Sequence, residues 1–283
     1  MKKFKFLTAA LCGAVMSFSA FAFTACAPGN GSSSSGSSAG GSDSVGGSSG
    51  SSMTITADTD PDTIVSEVLN QAQWKAALQA SNTDNFSVKT FMKVERSDGG
   101  FENEQEIKLG QTMRSMKAEI NYDGSIQKQE DVVMEGENGK IYALSYNATT
   151  QSWVESESLK MYSDILYEEY REYICSSYVC GFVAIEDAYA QFSYDQELKA
   201  YVAQDLTVTV STYTIASGES GGMEIQEITQ EVFYEKFIIK FINGKACYVY
   251  TQFEHSGKDV LQKTEMLYYN YGTTQVTMPE IAD

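Results

Sequence analysis

No proline stands between Pro61 and Pro279. A run of that length leaves the backbone free to commit almost wholly to hydrogen-bonded ladders and helices. The dominant period within it is two. Phe86, Val88, Thr90, Met92 and Val94 alternate with Ser87, Lys89, Lys93 and Glu95, which predicts a half-buried strand. Ser97-Asp98-Gly99-Gly100 turns the chain, and strand-like runs follow near 102–109, 112–122, 129–135, 139–146 and 151–156. Turns fall at Asp123-Gly124, Asn138-Gly139 and Asn147 to Thr150, the spacing of an antiparallel meander. Further strands are expected near 189–194, 199–203, 206–215, 224–232, 235–242, 245–254, 260–270 and 273–278.

Two segments carry a helical period instead. Asp60-Pro61 supplies an N-cap acid and a first-turn proline. Ile64, Val65, Val68, Leu69, Ala72 and Ala76 then share one stripe, while Trp74 and Leu78 sit off it, which places a bend or restart near Asn70. The second is 157–178, where Leu159, Tyr162, Ile165, Leu166, Tyr170, Tyr173 and Ile174 oppose Asp164, Glu168 and Glu172. The expected fold class is therefore α+β: a large curved antiparallel sheet of about 11–13 strands, with one N-terminal helix and one helical insert packed on it.

Asn243-Gly244 is the strongest local signal, a two-residue hairpin turn. Simple pairing across it puts Phe237, Ile239, Phe241, Ala246, Tyr248 and Tyr250 on one face. Lys236, Ile238, Lys240, Cys247, Val249 and Thr251 take the other, because a one-residue slip would send the lysines into the core. The apolar face offers Phe237, Ile239, Phe241, Tyr248 and Tyr250 as ligand-facing residues. The bland alternative is that they close a solid core.

The N-terminus reads as an address. Lys2, Lys3 and Lys5 precede an uncharged apolar run from Phe6 to Ala25, the layout of a secretory signal. It ends in Phe23-Thr24-Ala25-Cys26. Small residues directly before a cysteine there resemble the lipobox of bacterial lipoproteins, with Phe23 in place of the usual Leu. The resemblance implies cleavage after residue 25 and lipid attachment at Cys26, which would anchor the chain to the extracellular face of the cell membrane. Residues 27–52 contain eight Gly and twelve Ser. Such a segment cannot bury a core and serves as a flexible tether of about 28 Å r.m.s. span. Long Gly/Ser spacers after the lipid cysteine look like those of surface lipoproteins of Gram-positive bacteria. The remaining residues, 53–283, are expected to form a single domain.

The order of signal, lipobox, tether, short helix and long meander resembles the half-barrel lipoprotein class of the LolA carriers and the LppX/LprG lipid-binding lipoproteins. Three stretches carry the likeness: Trp74-Lys75-Ala76-Ala77-Leu78, Lys240-Phe241-Ile242-Asn243-Gly244-Lys245, and Tyr271 to Pro279, which resembles the closing strand of that class. The resemblance implies a curved sheet wrapped on helices, with a concave face that holds acyl chains in several members. It transfers no binding residue.

Composition removes several functions. With 20 Lys+Arg against 38 Asp+Glu the formal charge is −18, which repels nucleic-acid phosphates and anionic headgroups. One histidine excludes any two-histidine mechanism, and His255 lies in a turn-like Glu254-His255-Ser256-Gly257-Lys258, a poor place for a catalytic triad. Gly36 to Gly40 matches G-x-S-x-G inside the tether, and Ser125-Ile126-Gln127-Lys128 matches S-x-x-K without companion motifs; neither is a site. Asp58, Asp60 and Asp62 begin like a calcium loop, but Thr63 and Leu69 occupy the glycine and glutamate positions. No metal or other cofactor is called for. Cys175 and Cys180 are the preferred disulfide, if the helix ends between them, with free thiols as the alternative. The functional expectation is a non-enzymatic surface lipoprotein that binds lipid or another hydrophobic ligand. The alternative is a filled module that contacts a surface protein or glycan.

Overall fold

The structure, a computed structural model, describes residues 53–97, 99–217, 223–254 and 260–281. The signal, Cys26, the tether and His255 lie outside the described residues. Eleven strands form one antiparallel sheet. In chain order they are β1 (Phe86–Arg96), β2 (Gly99–Leu109), β3 (Met113–Tyr122), β4 (Ser125–Glu135), β5 (Ile141–Asn147), β6 (Ser152–Glu155), β7 (Ser193–Asp195), β8 (Ala200–Ser217), β9 (Met223–Ile242), β10 (Lys245–Glu254) and β11 (Val260–Tyr269). Their spatial order is β6-β5-β4-β3-β2-β1-β11-β10-β9-β8-β7, so the sheet is open and ends in its two shortest strands. β7 covers only Ala200 to Val202 of β8, so beyond them β8 pairs on one side alone, with β9.

This is the expected α+β half-barrel. The strand count falls at the low end because the predicted pairs 199–203/206–215 and 224–232/235–242 are single long strands. β8 runs on through Asp205, whose φ is 51°, without breaking. The predicted strand at 273–278 does not form. Instead the tail past β11 is tied to the start of β1, where Thr274 N–H donates to Asn85 Oδ1 at 2.8 Å and its hydroxyl meets Ser87 Oγ at 3.0 Å.

Two helices pack on the concave face: α1 (Gln71–Ser81) and α2 (Tyr167–Ala184). Helix α1 starts at the anticipated restart, where Asn70 and Gln73 form a reciprocal capping box. Its buried face is Trp74, Ala77, Leu78 and Ser81, not the stripe starting at Ile64. Only a single 3₁₀ turn, Pro61–Thr63, precedes it, and residues 64–70 are extended. Tertiary hydrogen bonds override the helical period there: Ser66 N–H donates to Lys199 O and Glu67 N–H to Phe241 O. The strap so formed carries Ile64 on the convex side, beside Cys247, Tyr248 and Leu267, and Leu69 in the main core. Helix α2 begins later than the predicted 157–178 and runs further, through Ala184. Of its predicted apolar face only Leu166 is exposed.

Alternation sorts the strands as the period required. The convex side of β1 to β4 is charged, with cross-strand pairs such as Lys89–Glu104 and Lys128–Glu119, each 2.8 Å. Such exposed pairs contribute little. The buried ion pair is another matter. Arg114 on β3 bonds Asp131 on β4 and the Tyr170 hydroxyl on α2, and all three are sealed from solvent. Gln129 Nε2 donates to the other Asp131 oxygen at 3.0 Å. Arg114→Met alone is expected to cost about 3–5 kcal/mol by stranding Asp131, whereas Arg114→Met with Asp131→Leu should recover most of that loss. Urea unfolding of the two variants checks this.

Candidate functional site

The late hairpin places the predicted ligand face. Asn243 and Gly244 take φ of 52° and 66°, as its tight turn demands. Glu67 of the strap accepts from both turn N–H groups, at 2.7 Å from Asn243 and 3.1 Å from Gly244. Ala246 faces Phe241 as expected, but the register then slips, so that Tyr248 faces Lys240 and Val249 faces Ile239. The cause is a bulge at Cys247. Ala246 N–H leaves the ladder to donate to Ser81 Oγ of α1 at 2.8 Å, and Ala246 O accepts from the Tyr271 hydroxyl at 2.8 Å.

The bulge divides the expected face. Phe237, Ile239 and Phe241 do face the concave core. Tyr248 and Tyr250 point to the convex side, where the Tyr248 hydroxyl donates to Glu265 at 3.0 Å. Val249 and Thr251, expected on the wet side, are turned inward instead. At the Phe241 end the core is filled: Trp74 is fully buried, its ring lies 5.1 Å from Phe241 and 4.8 Å from Phe192, and its Nε1 donates to Ile185 O at 3.1 Å.

Space remains further along the sheet. A cavity of about 60 Å³ lies between the sheet and the second half of α2. Thr90 and Met92 of β1, Gln105 of β2, and Thr264, Met266 and Tyr268 of β11 form its floor on one side. Val249, Thr251 and Phe253 of β10 continue that floor, Tyr234 and Phe237 of β9 close it, and Ser177, Tyr178, Cys180, Gly181 and Phe182 form the roof. Gly181 marks the gap, since a Cβ built there would meet nothing within 4 Å. Glycine inside a helix is unfavourable by about 1 kcal/mol against alanine, and neither a positive φ nor a close approach requires it here. Beside α2, a groove of about 660 Å³ runs between it and β8, lined by residues that include Val179, Val183, Thr209 and Tyr213. Cys180 lines both spaces.

Of the five residues expected to face a ligand, Phe237 alone lines the cavity. The missed floor was partly legible, because Thr90 and Met92 belong to the clearest alternating strand. Val249 and Thr251 were hidden by the bulge, which depends on a serine on a distant helix.

Cys175, Cys180 and Cys247 are free thiols. The proposed Cys175–Cys180 bridge does not form because α2 continues past both, holding positions five apart about 140° apart around its axis. Burial pushes all three thiols up to about 12. No group of three or more His, Cys, Asp or Glu among the described residues could hold a metal. Asp60 caps the 3₁₀ turn, accepting from Asp62 N–H at 3.0 Å.

No family model matches the chain, and no curated protein matches it. Among solved structures, a DUF1329 family protein from Desulfovibrio piger ATCC 29098 is 12% identical, with TM-score 0.28, over 78% of this chain and 96% of its own. A putative outer membrane lipoprotein-sorting protein domain from Vibrio parahaemolyticus is 8% identical, with TM-score 0.20, over 74% and 94%. Both scores are too low to carry a function from those proteins to this chain.

In the chain from Met53 onward, which holds all eleven strands and both helices, a thiol reagent near pH 8 should find the two buried cysteines, Cys180 and Cys247, unreactive until denaturant is added, while half-buried Cys175 lines the open groove. Fast labelling of Cys180 or Cys247 in the native protein would contradict their burial. Burial also raises Tyr170, Tyr173, Tyr234 and Tyr268 above the ordinary phenol value. Their contribution to stability is present below about pH 10, where unfolded tyrosines begin to ionise, and is lost as pH rises toward the folded values. Tyrosinate absorbance and circular dichroism should therefore change together above about pH 10; ionisation of these tyrosines with the fold intact would contradict the prediction.

Proposed function

We propose that this chain is a non-enzymatic binding protein that takes a hydrophobic ligand between the concave sheet face and α2, and that it works from the extracellular face of the cell membrane through an acylated Cys26 and the 27–52 tether. The observation that carries the reading is the cavity under Gly181: a space inside an otherwise filled core, roofed by a helical glycine that the backbone does not need. At about 60 Å³ it is far smaller than the ~300–1,000 Å³ that encloses most small ligands. Entry of an acyl chain therefore requires the second half of α2 to lift. The groove along β8 supplies the route, since it adjoins the cavity at Cys180 and has the volume for a chain. The first half of α2 is held by Arg114–Tyr170 and by the Arg171–Asp84 pair, so lifting the second half would break the Tyr268 hydroxyl bond to Tyr178 O, at 2.6 Å, and the Trp74 bond to Ile185 O.

A second reading, a glycan- or protein-contacting surface with no internal ligand, is favoured by the edge of the sheet. There Tyr146 and Trp153 stack edge-to-face with centroids 5.7 Å apart, and exposed Tyr142 lies on the same face of β5. Native mass spectrometry of the chain from Met53, incubated with membrane extract, separates the two. The internal-site reading expects bound mass released as lipid on denaturation. It also expects Gly181→Leu to stay folded, gain up to about 1 kcal/mol of stability, and lose that mass. An empty protein, or a Gly181→Leu protein that keeps its lipid, would move the assignment to the aromatic edge.

A further inference from the structure

The cavity floor has an unusual chemistry for a lipid site. Thr90, Gln105, Thr251 and Thr264 are uncharged polar side chains on adjacent strands, all facing α2 and all buried. Asn103 continues the band one step along β2, directly across from Met92. Two of these have nothing to bond. The Thr90 hydroxyl and both amide atoms of Asn103 lack any hydrogen-bond partner, although the residues are only 6% and 1% exposed. Gln105 Nε2 reaches only the Met116 sulfur, at 2.9 Å, a weak acceptor. Buried polar groups are almost always paired, and a filled core at these positions would favour apolar residues.

None of the described residues lining the cavity is acidic or basic. Arg114, the nearby buried cation, is already committed to Asp131 and Tyr170. A carboxylate or phosphate drawn into this space would lose its hydration and meet no counter-charge. A hydroxyl, ester or amide would find both donors and acceptors, since a threonine hydroxyl and a glutamine amide each offer the two. The volume, about 60 Å³, is that of about two water molecules or one such group.

Resting on the hydrophobic-ligand reading above, we propose that the ligand is a neutral lipid whose uncharged hydrogen-bonding group seats on Thr90 and Gln105, which face each other across β1 and β2 on the cavity floor, and that ionised lipids are rejected. The apolar chain leaves this seat past Cys180 toward the β8 groove.

The test uses three twelve-carbon probes on the chain from Met53: dodecan-1-ol, dodecanoate at about pH 8, and dodecane, each competing with a neutral fluorescent lipid. Dodecanol is expected to bind about tenfold tighter than either of the others, the usual size of one buried hydrogen bond. Thr90→Val with Gln105→Leu should erase the preference for dodecanol, with dodecane bound at least as tightly as before; Thr90→Val alone is near-isosteric and serves if the pair does not fold. Equal or tighter binding of dodecanoate, or a preference that survives in the variants, overturns the neutral-seat proposal while leaving the hydrophobic site standing. Failure of all three probes to bind overturns both.

Discussion

The contact between Arg114, Asp131 and Tyr170 settles how an open sheet can cover its own concave face. A sheet of eleven strands that does not close into a barrel has no second sheet to pack on, so its inner face must be filled by helices. Helix α2 does most of that work, and it is an inserted segment between β6 and β7, tied to neither strand by a short turn. A guanidinium from β3 that reaches a tyrosine on α2, with its charge balanced by β4, fixes the position of the helix on the sheet. Apolar burial alone would hold α2 down without choosing its position along the groove. A buried, hydrogen-bonded charge has few alternative partners, and that is the sense in which such a pair specifies geometry more than it adds stability.

With one end of α2 fixed, the two halves of the concave face take different characters. Around Trp74 the rings of Tyr189, Phe192, Tyr201 and Phe241 meet at 4.8 to 5.7 Å, and the helix that brings Trp74 is held by the strap through Glu67 and Ser66. That half is packed as interiors ordinarily are. Under Ser177 to Phe182 the packing stops short, and three threonines and the Gln105 amide are interspersed among Met92, Val249, Phe253 and Met266 on the floor. Met53, Ile55 and Ile64 pack on the convex side, against Cys247, Tyr248 and Leu267, so the strap crosses from that side to the main core at Leu69.

Much of this was legible in the residues. The period of two from Phe86 to Val94, the turns at Asp123-Gly124 and Asn138-Gly139, and the absence of proline require a long antiparallel meander, and that is the sheet. Asn243-Gly244 gave the turn type correctly. What could not be read was everything set by partners remote in sequence. Ser81 lies 165 positions from the Ala246 N–H that donates to it beside the bulge, and the bulge turns Tyr248 and Tyr250 to the opposite face. The extended strap has a helical period because Val65 and Val68 happen to fit one, yet both are exposed and the backbone there is bonded to Lys199 and Phe241. Cys175 and Cys180 looked bridgeable only on the assumption that the helix ended, and helix ends are among the weakest inferences from sequence.

The same distinction governs the cavity. Each of its polar residues is unremarkable in its own strand, because threonine is a good strand former and a single asparagine or glutamine in a long meander attracts no notice. Their meaning comes from register: the β1–β2 and β1–β11 pairings set Gln105 across from Thr90 and Met92 across from Thr264, so that residues separated by up to 174 positions, Thr90 to Thr264, share one uncharged floor. A glycine over that floor keeps it from being filled. If the floor were merely tolerated polarity, a methyl group at Gly181 and valine at Thr90 would each be a gain in stability with nothing lost. The residues present forgo both gains at facing positions, which is the pattern expected where a site has been kept open at some expense to the core.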